Sequence, residues 1–495
     1  GETMVTVLGT SFLAADTLTC KFGSITSKAV WLSSLAIRCM SPENAPGSIV
    51  FLEVSNNGVD FSTNDIAYRY SETPRVNKIT PAIGPAHGGS RILIASTNIQ
   101  ESDQYFCKFS GVAGSIQASV INETALECIA PAQDAPGNVC VEISNNNVDF
   151  SNDCVSFEYT SAASVSGLSP KHGIVNGGTR VVVTGTNFRA DSMRCKFGGI
   201  DAVSVKIVSN TTIECVSPPM TQGWVQVEIS NNNGVDFTQN GLQYLFVESP
   251  QVQYVYPESG PESGSTLLMI GGANFYSSTE LACHFFDVTS SSTVPVISST
   301  ATWISSTALT CASPAHRPST VRVSVSSNGQ QHTNENIQYA YHSRIGVTAL
   351  TPSRGSLQGG TNVILHGTGF VNASRLSCRF DNVIVLATYL SEISISCTTP
   401  AHQQSVVSVE VSNNGIDFSS ENGMFEFVVV TRIVKITPRT GPTLGGTKLF
   451  VAVDALSASH INSGIFCRFD NKYLEEASMV IEATNSDSSH QVVCF

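Results

Sequence analysis

Charged side chains are scarce in this chain, at 13% of residues against about 25% in an ordinary soluble protein. The charge that exists leans acidic: 26 Lys and Arg stand against 39 Asp and Glu, a formal net charge of −13. Basic runs are missing, and a general nucleic-acid binder needs such a cationic footprint, so nucleic acid is excluded as a partner. No apolar stretch approaches the roughly 18 residues of a membrane-spanning helix, so no membrane contact is expected within this segment. Gly1 to Thr10 lack the charged and apolar regions of a signal peptide. Catalytic signatures are missing too. The ten histidines are scattered without an HExxH, and no GxSxG or paired-carboxylate arrangement stands out. GGTK at 445–448 lacks the spacing of a phosphate loop, so its glycines read as turn residues. The chain is therefore expected to be no enzyme and to carry no cofactor. What is present suffices for packed cores: 41% of the 495 residues are hydrophobic, which removes the chain from the disordered class.

Cysteine is plentiful, with 14 residues. None falls in a Cys-x-x-Cys half-site, which argues against structural zinc and for no bound metal. Six pairs recur at similar separations: Cys20/Cys39, Cys107/Cys128, Cys195/Cys215, Cys283/Cys311, Cys378/Cys397 and Cys467/Cys494. Local pairing of this kind fits disulfides within domains and an oxidising compartment. Buried free thiols in a cytosolic protein are the alternative. Three N-x-S/T sequons, at Asn122, Asn210 and Asn372, agree with secretion and N-glycans. Asn122 and Asn210 sit at matching points shortly before the second cysteine of their pair.

Internal repetition decides the architecture. A Gly-rich turn and an apolar run return at HGGSRILIAS (87–96), NGGTRVVVTGTNF (176–188), SGSTLLMIGGANF (263–275), QGGTNVILHGTGF (358–370) and LGGTKLFVAV (444–453). The opening GETMVTVLGTSF matches the same element from its second half. The period is roughly 86 to 95 residues. Each run leads to Cys-x-Phe, then to the second cysteine, usually two or three residues before a proline. A strand with a Ser-Asn-Asn tail closes the unit, as in VEISNNNGVDFT (227–238) and VEVSNNGIDFS (409–419). The segments are short, alternate with period two and are rich in Val, Ile, Phe and Tyr, so the fold class is all-β. Asn57-Gly58 and Asn414-Gly415 are read as type I′ hairpin turns.

The succession GxxxGGTxVxVxGxNF, CxFG, cysteine before proline and VxVSNNGVDFS resembles the IPT/TIG domain. The resemblance implies a tandem array of six immunoglobulin-like β-sandwiches, the first and last incomplete. The expected boundaries are 1–72, 73–161, 162–248, 249–343, 344–430 and 431–495. The fourth unit departs most, because VRVSVSSNGQQHTN (321–334) lacks the Asp-Phe pair. Disulfide-bearing tandem arrays of this family resemble ectodomains of plexins and fibrocystin and large surface proteins of protists. The resemblance thus implies an extracellular or cell-surface address. It also implies a structural or adhesive role, in a surface or flagellar-hair (mastigoneme-like) assembly. Implied partners are other protein chains, through self-assembly or neighbouring surface proteins. A plexin-like or fibrocystin-like receptor stalk is a second reading. A carbohydrate-binding array is a third, weakened because Trp31, Trp224 and Trp303 are few and read as non-equivalent.

Alternation carries further expectations. In Cys-x-Phe the cysteine and phenylalanine share the core face. The middle residue then faces solvent: Lys21, Lys108, Lys196, His284, Arg379 and Arg468. In the closing strand an acid faces out, as Glu53, Glu142, Glu228 and Glu410, with Ser324 in the unit that has His284. We expect these strands to be neighbours with a basic–acidic pair across them, contributing about 0.2–1 kcal/mol. The remaining cysteines, Cys140 and Cys154, both read outward and are expected to form a surface disulfide across the last hairpin of the second unit. The acids of NGVDF, Asp60, Asp149, Asp236 and Asp417, are expected to cap their turn. Calcium at a domain junction is the sharper alternative. Connections between units are short, which predicts a semi-rigid rod. Gly1 and Phe495 both fall inside a unit, which suggests a window on a longer array.

Overall fold

The computed structural model describes residues 1–100, 104–190, 192–239, 242–288, 295–454, 465–470, 473–477, 479–481 and 490–494. Phe495 lies outside them. Every regular element among the described residues is a strand, and none is a helix. The chain divides into two compact units, Gly1–Glu248 and Ser249–Phe495.

Within the first unit, the domain around Cys195 shows the plan. One sheet runs Ser164–Ser169, Arg180–Thr186, Thr212–Val216, Ser204–Ser209 in spatial order; the other runs His172–Ile174, Gln243–Val247, Gly223–Ser230, Arg194–Phe197, Ile200–Asp201. Alternation drives the assembly. In Arg180–Thr186, Val181 and Val183 are buried while Arg180 and Val182 face out. In Gly223–Ser230, Val227 and Ile229 are buried. Phe197, Tyr244 and Phe246 meet edge to face between the sheets, at centroid distances of 5.1 to 6.0 Å. Each such contact adds about 0.5–1.5 kcal/mol beyond the area it buries.

Cys195 lies on one sheet and Cys215 on the other, and they are bonded with Cα atoms 6.5 Å apart. The same inter-sheet bond joins Cys20–Cys39 and Cys107–Cys128 in the first unit, and Cys283–Cys311, Cys378–Cys397 and Cys467–Cys494 in the second. Four domains share a further feature. One long strand pairs with the Cys-x-Phe strand along its first half and crosses to the opposite sheet along its second. These strands are Ile25–Ser33, Ile116–Asn122, Ile297–Ser305 and Val383–Ser391.

Two of the recurring sequence signals turn out to be one contact. Gly177 of the Gly-Gly turn has φ +75°, and a Cβ there would stand 2.6 Å from the Pro218 carbonyl carbon. The turn lies flat on the backbone that follows the second cysteine. Gly88, Gly264 and Gly359 meet the equivalent backbone at 2.5 to 2.6 Å. Glycine is therefore demanded twice over, by its positive φ and by the close approach.

The Asn-Gly expectation is corrected. Ile49–Ser55 and Ile66–Arg69 are joined by a ten-residue loop, 56–65, and not by a two-residue turn. Gly58 (φ +76°) and Gly415 (φ +75°) are left-handed, whereas Asn57 and Asn414 are not. A type I′ turn requires both residues to be left-handed. The loop is shaped instead by the asparagine side chain, as described next.

Candidate functional site: the repeat junction

The Ser-Asn-Asn-Gly-Val-Asp-Phe loop folds around its second asparagine. In the third repeat, Asn232 is 3% exposed. Its Oδ1 accepts the Asp236 backbone N–H at 2.9 Å and the buried Ser230 hydroxyl at 2.9 Å. Its Nδ2 donates to Asp236 Oδ2 at 2.6 Å. The asparagine, not the aspartate, caps the turn. Asn57, Asn146 and Asn414 accept the equivalent aspartate N–H at 2.8 to 2.9 Å. This corrects the expectation for Asp60, Asp149, Asp236 and Asp417. The tight bend gathers N–H groups inward on the amide and leaves the carboxylate pointing away.

The carboxylate reaches the preceding domain. Ser90 Oγ, in the Gly-Gly-Ser turn of the second repeat, donates to Asp236 Oδ2 at 2.5 Å. The contact recurs in both compact units. Thr3 donates to Asp149 at 2.6 Å, and Thr266 donates to Asp417 at 2.8 Å. The asparagine adds a second tie, since Asn232 Nδ2 donates to the Ile83 carbonyl at 3.3 Å and Asn414 Nδ2 to the Ser259 carbonyl at 2.7 Å. At the junction of repeats two and three, Arg189 also grips Glu158 with two bonds, at 2.7 and 3.1 Å. A cleft of about 690 Å³ opens beside this junction, with Ile83, His87, Asn231 and Asp236 among its walls.

The phenylalanine that follows the aspartate serves its own domain. Lys196 stands directly opposite Glu228, with Nζ 2.9 Å from the carboxylate and 3.9 Å from the Phe237 ring centroid. Lys21–Glu53–Phe61 and Lys108–Glu142–Phe150 repeat the arrangement in the first unit, and Arg379–Glu410–Phe418 in the second. The expected ion pair is thus present on one face, with an aromatic floor that the alternation pattern did not anticipate. Repeat four changes every member together. His284 faces Ser324, His332 occupies the phenylalanine position, and Gln331 occupies the aspartate position, accepting from Asn328 Nδ2 at 2.6 Å.

Cys140 and Cys154 are bonded at the rim of the second repeat's last hairpin, with Cys154 exposed. The register pairs Cys140 with Ser156 across a long loop, 145–154, so Cys154 reaches it from just outside the ladder. Asn122, Asn210 and Asn372 are all exposed. Asn122 and Asn210 stand at the tip of the same hairpin in successive domains, between Ile116–Asn122 and Ala125–Ile129 and between Ser204–Ser209 and Thr212–Val216. The tryptophan reading is corrected. Trp31 and Trp303 occupy one position in repeats one and four, and each indole N–H donates to a backbone carbonyl, of Phe12 at 3.1 Å and Phe275 at 3.0 Å. Only Trp224 stands elsewhere, on the closing strand. Among the described residues, no three His, Cys, Asp or Glu side chains are grouped to hold a metal ion.

These are disulfide-bonded, immunoglobulin-like sandwiches in tandem, and within each compact unit a recurrent side-chain contact ties neighbours together. The chain belongs to the IPT/TIG domain family, whose model matches residues 1–70, 74–159, 163–246, 250–341 and 346–427. It is 24% identical to fibrocystin-L of Homo sapiens over 512 aligned residues, covering 100% of this chain and 11% of that protein. It is 24% identical to plexin-A3 of Rattus norvegicus over 262 residues, covering 48% of this chain and 13% of that protein. The chain therefore spans about a tenth of the length of these relatives. Among solved structures, it is similar to the full extracellular region of plexin A4, at 16% identity and a TM-score of 0.32, covering 84% of this chain and 42% of that one.

Proposed function

We propose that the chain is a non-catalytic extracellular array with a structural or adhesive role, whose setting is a cell surface or a flagellar-hair-like assembly. The observation that carries this reading is the recurrence of the junction contact. The same carboxylate meets the same turn hydroxyl at Thr3–Asp149, Ser90–Asp236 and Thr266–Asp417. A contact repeated at several junctions within the two compact units stabilises the relation between those neighbours, which is what a spacer under tension requires and a catalytic site does not. Seven disulfides support an oxidising address. Exposed faces and N-glycans would then meet neighbouring chains.

A receptor stalk is the second reading, favoured by the alignment of the whole chain within fibrocystin-L. Immunogold labelling of unpermeabilised native cells with an antibody to this chain separates the two. Label along surface filaments supports the structural assembly. Label confined to the plasma membrane favours the stalk. Label appearing only after permeabilisation, in the cytosol, overturns both.

A further inference from the structure

Repeat four replaces a charged cluster by a pair of facing imidazoles. His284 is 8% exposed, and its ring meets that of His332 edge to face at 4.4 Å between centroids. Phe286 also meets the His332 ring edge to face, at 5.6 Å, and the Arg322 guanidinium lies over Phe286 at 4.4 Å. Nδ1 of His284 meets the Ser298 hydroxyl at 2.8 Å. Nε2 of His284 and Nδ1 of His332 are buried without a hydrogen-bond partner. Among the described residues, no third His, Cys, Asp or Glu joins the pair in a group that could hold a metal ion.

A proton on His284 would find no carboxylate opposite it on the closing strand. In repeats one, two, three and five a glutamate stands opposite; here Ser324 does, and its hydroxyl already donates to the Thr333 carbonyl at 2.8 Å. The closing strand contributes Arg322, which is itself positive. The strand of His284 contributes Asp287, which pairs with Arg317 at 3.5 Å. The strand Ile297–Ser305 carries no ionisable side chain. The loop that holds His332 contributes Glu335, whose buried Oε2 makes no hydrogen bond.

We propose that this histidine pair makes repeat four an acid-responsive element, in which protonation of either ring opens the loop 327–337 while the corresponding loops of the other repeats stay closed. Burial, then the neighbouring His332, holds His284 down to about 4; burial, then Arg322, holds His332 below its ordinary value. Because the folded pKa lies below the unfolded one, the open form binds the proton more tightly. The closed state is unaffected above pH 6.5 and weakens as pH falls toward 4. At pH 5, His284 alone shifts the opening equilibrium about 30-fold toward the open form.

The test is hydrogen–deuterium exchange of the full chain at pH 7.5, 6.0 and 5.0, corrected for intrinsic exchange rates. Residues 327–337 are compared with the corresponding loop of repeat five, 413–422. The expected result is an excess opening of at least 10-fold at pH 5 in repeat four alone. The triple variant His284→Lys, Ser324→Glu, His332→Phe installs the cluster of the other repeats and should abolish the acid response while keeping protection at pH 7.5. Equal pH responses in the two loops, or acid sensitivity surviving in the triple variant, would overturn the proposal. So would an NMR titration of the unmodified chain in which both rings titrate near 6.5, a measurement that needs no variant to fold.

Discussion

Ser90 and Asp236 are 146 residues apart in the chain and 2.5 Å apart in space, hydroxyl to carboxylate, across the boundary between two domains. The hydroxyl belongs to the turn that opens one sandwich, and the carboxylate belongs to the loop that closes the last sheet of the next. Each motif is therefore kept for a duty inside its own domain and lends one polar atom to its neighbour.

Removing that atom should loosen the junction without unfolding either domain. A double-mutant cycle of Ser90→Ala and Asp236→Asn is expected to show a coupling of about 1.5–3 kcal/mol, the range for a hydrogen bond to a charged group. A multidomain chain need not unfold in one step, so local exchange of residues 87–92 and 231–238 is the appropriate readout. Coupling below about 0.3 kcal/mol would show that the contact is incidental.

The basic–acidic–aromatic cluster should matter more than an exposed ion pair. Lys196 and Glu228 side chains are 25% and 13% exposed, whereas Arg91, paired to Glu127 at 3.1 Å, is 72% exposed. Lys196→Met loses both the ion pair and the contact with Phe237, at a cost of about 1–2 kcal/mol. Arg91→Met should change stability by less than about 0.5 kcal/mol. Chemical denaturation followed at domain-specific peptides distinguishes the two.

Much of this architecture was legible in the sequence because period-two alternation and a repeated turn are local signals. The all-β tandem fold followed from segments such as RVVVTGT, and the outward Lys196 and Glu228 followed from their places one residue away from the inward Cys195 and Ile229. The partnership of Ser90 with Asp236 was not legible, because nothing local ties residues 146 positions apart. A usable signal existed nonetheless. A hydroxyl residue closes the Gly-rich turn in successive units, as Ser90, Thr179, Thr266, Thr361 and Thr447, and an unassigned recurring hydroxyl invites a search for its partner. The Asn-Gly hairpin expectation failed because a dipeptide propensity was set against a loop organised by its asparagine side chain, which at the buried Asn414 bonds to Ser412, Ile416, Asp417 and Ser259 at once.

Glycosylation is expected at Asn122, Asn210 and Asn372 when the full chain is secreted from a eukaryotic host. All three are exposed, and at Asn122 the Thr124 hydroxyl lies 2.9 Å from the asparagine Oδ1. Each Asn→Gln substitution should remove one glycosidase-sensitive mass increment and change stability by no more than about 0.5 kcal/mol, as for other surface sites. Intact mass spectrometry reads the outcome, and an unmodified chain would remove the glycan part of the proposed function.

Reduction should separate the disulfides into two classes. Cys140–Cys154 closes 14 residues at an exposed loop edge, with Cys154 in solvent. Cys195–Cys215 closes 20 residues inside a core where both sulfurs are covered. Loop-closure entropy alone makes the two bonds similar, at roughly 3 kcal/mol each. The difference lies in access, because exchange requires a thiolate to reach a sulfur. Mild thiol treatment of the native chain, followed by alkylation and peptide mapping, should label Cys140 and Cys154 while leaving Cys195 and Cys215 protected. The Cys195→Ala, Cys215→Ala variant should then lose about 2–4 kcal/mol in its own domain. The variant lacking Cys140 and Cys154 should keep its core and lose chiefly the protection of loop 145–154. Labelling of the buried pair at the same rate as the exposed pair would mean that the sandwich opens under native conditions, a behaviour incompatible with a load-bearing array.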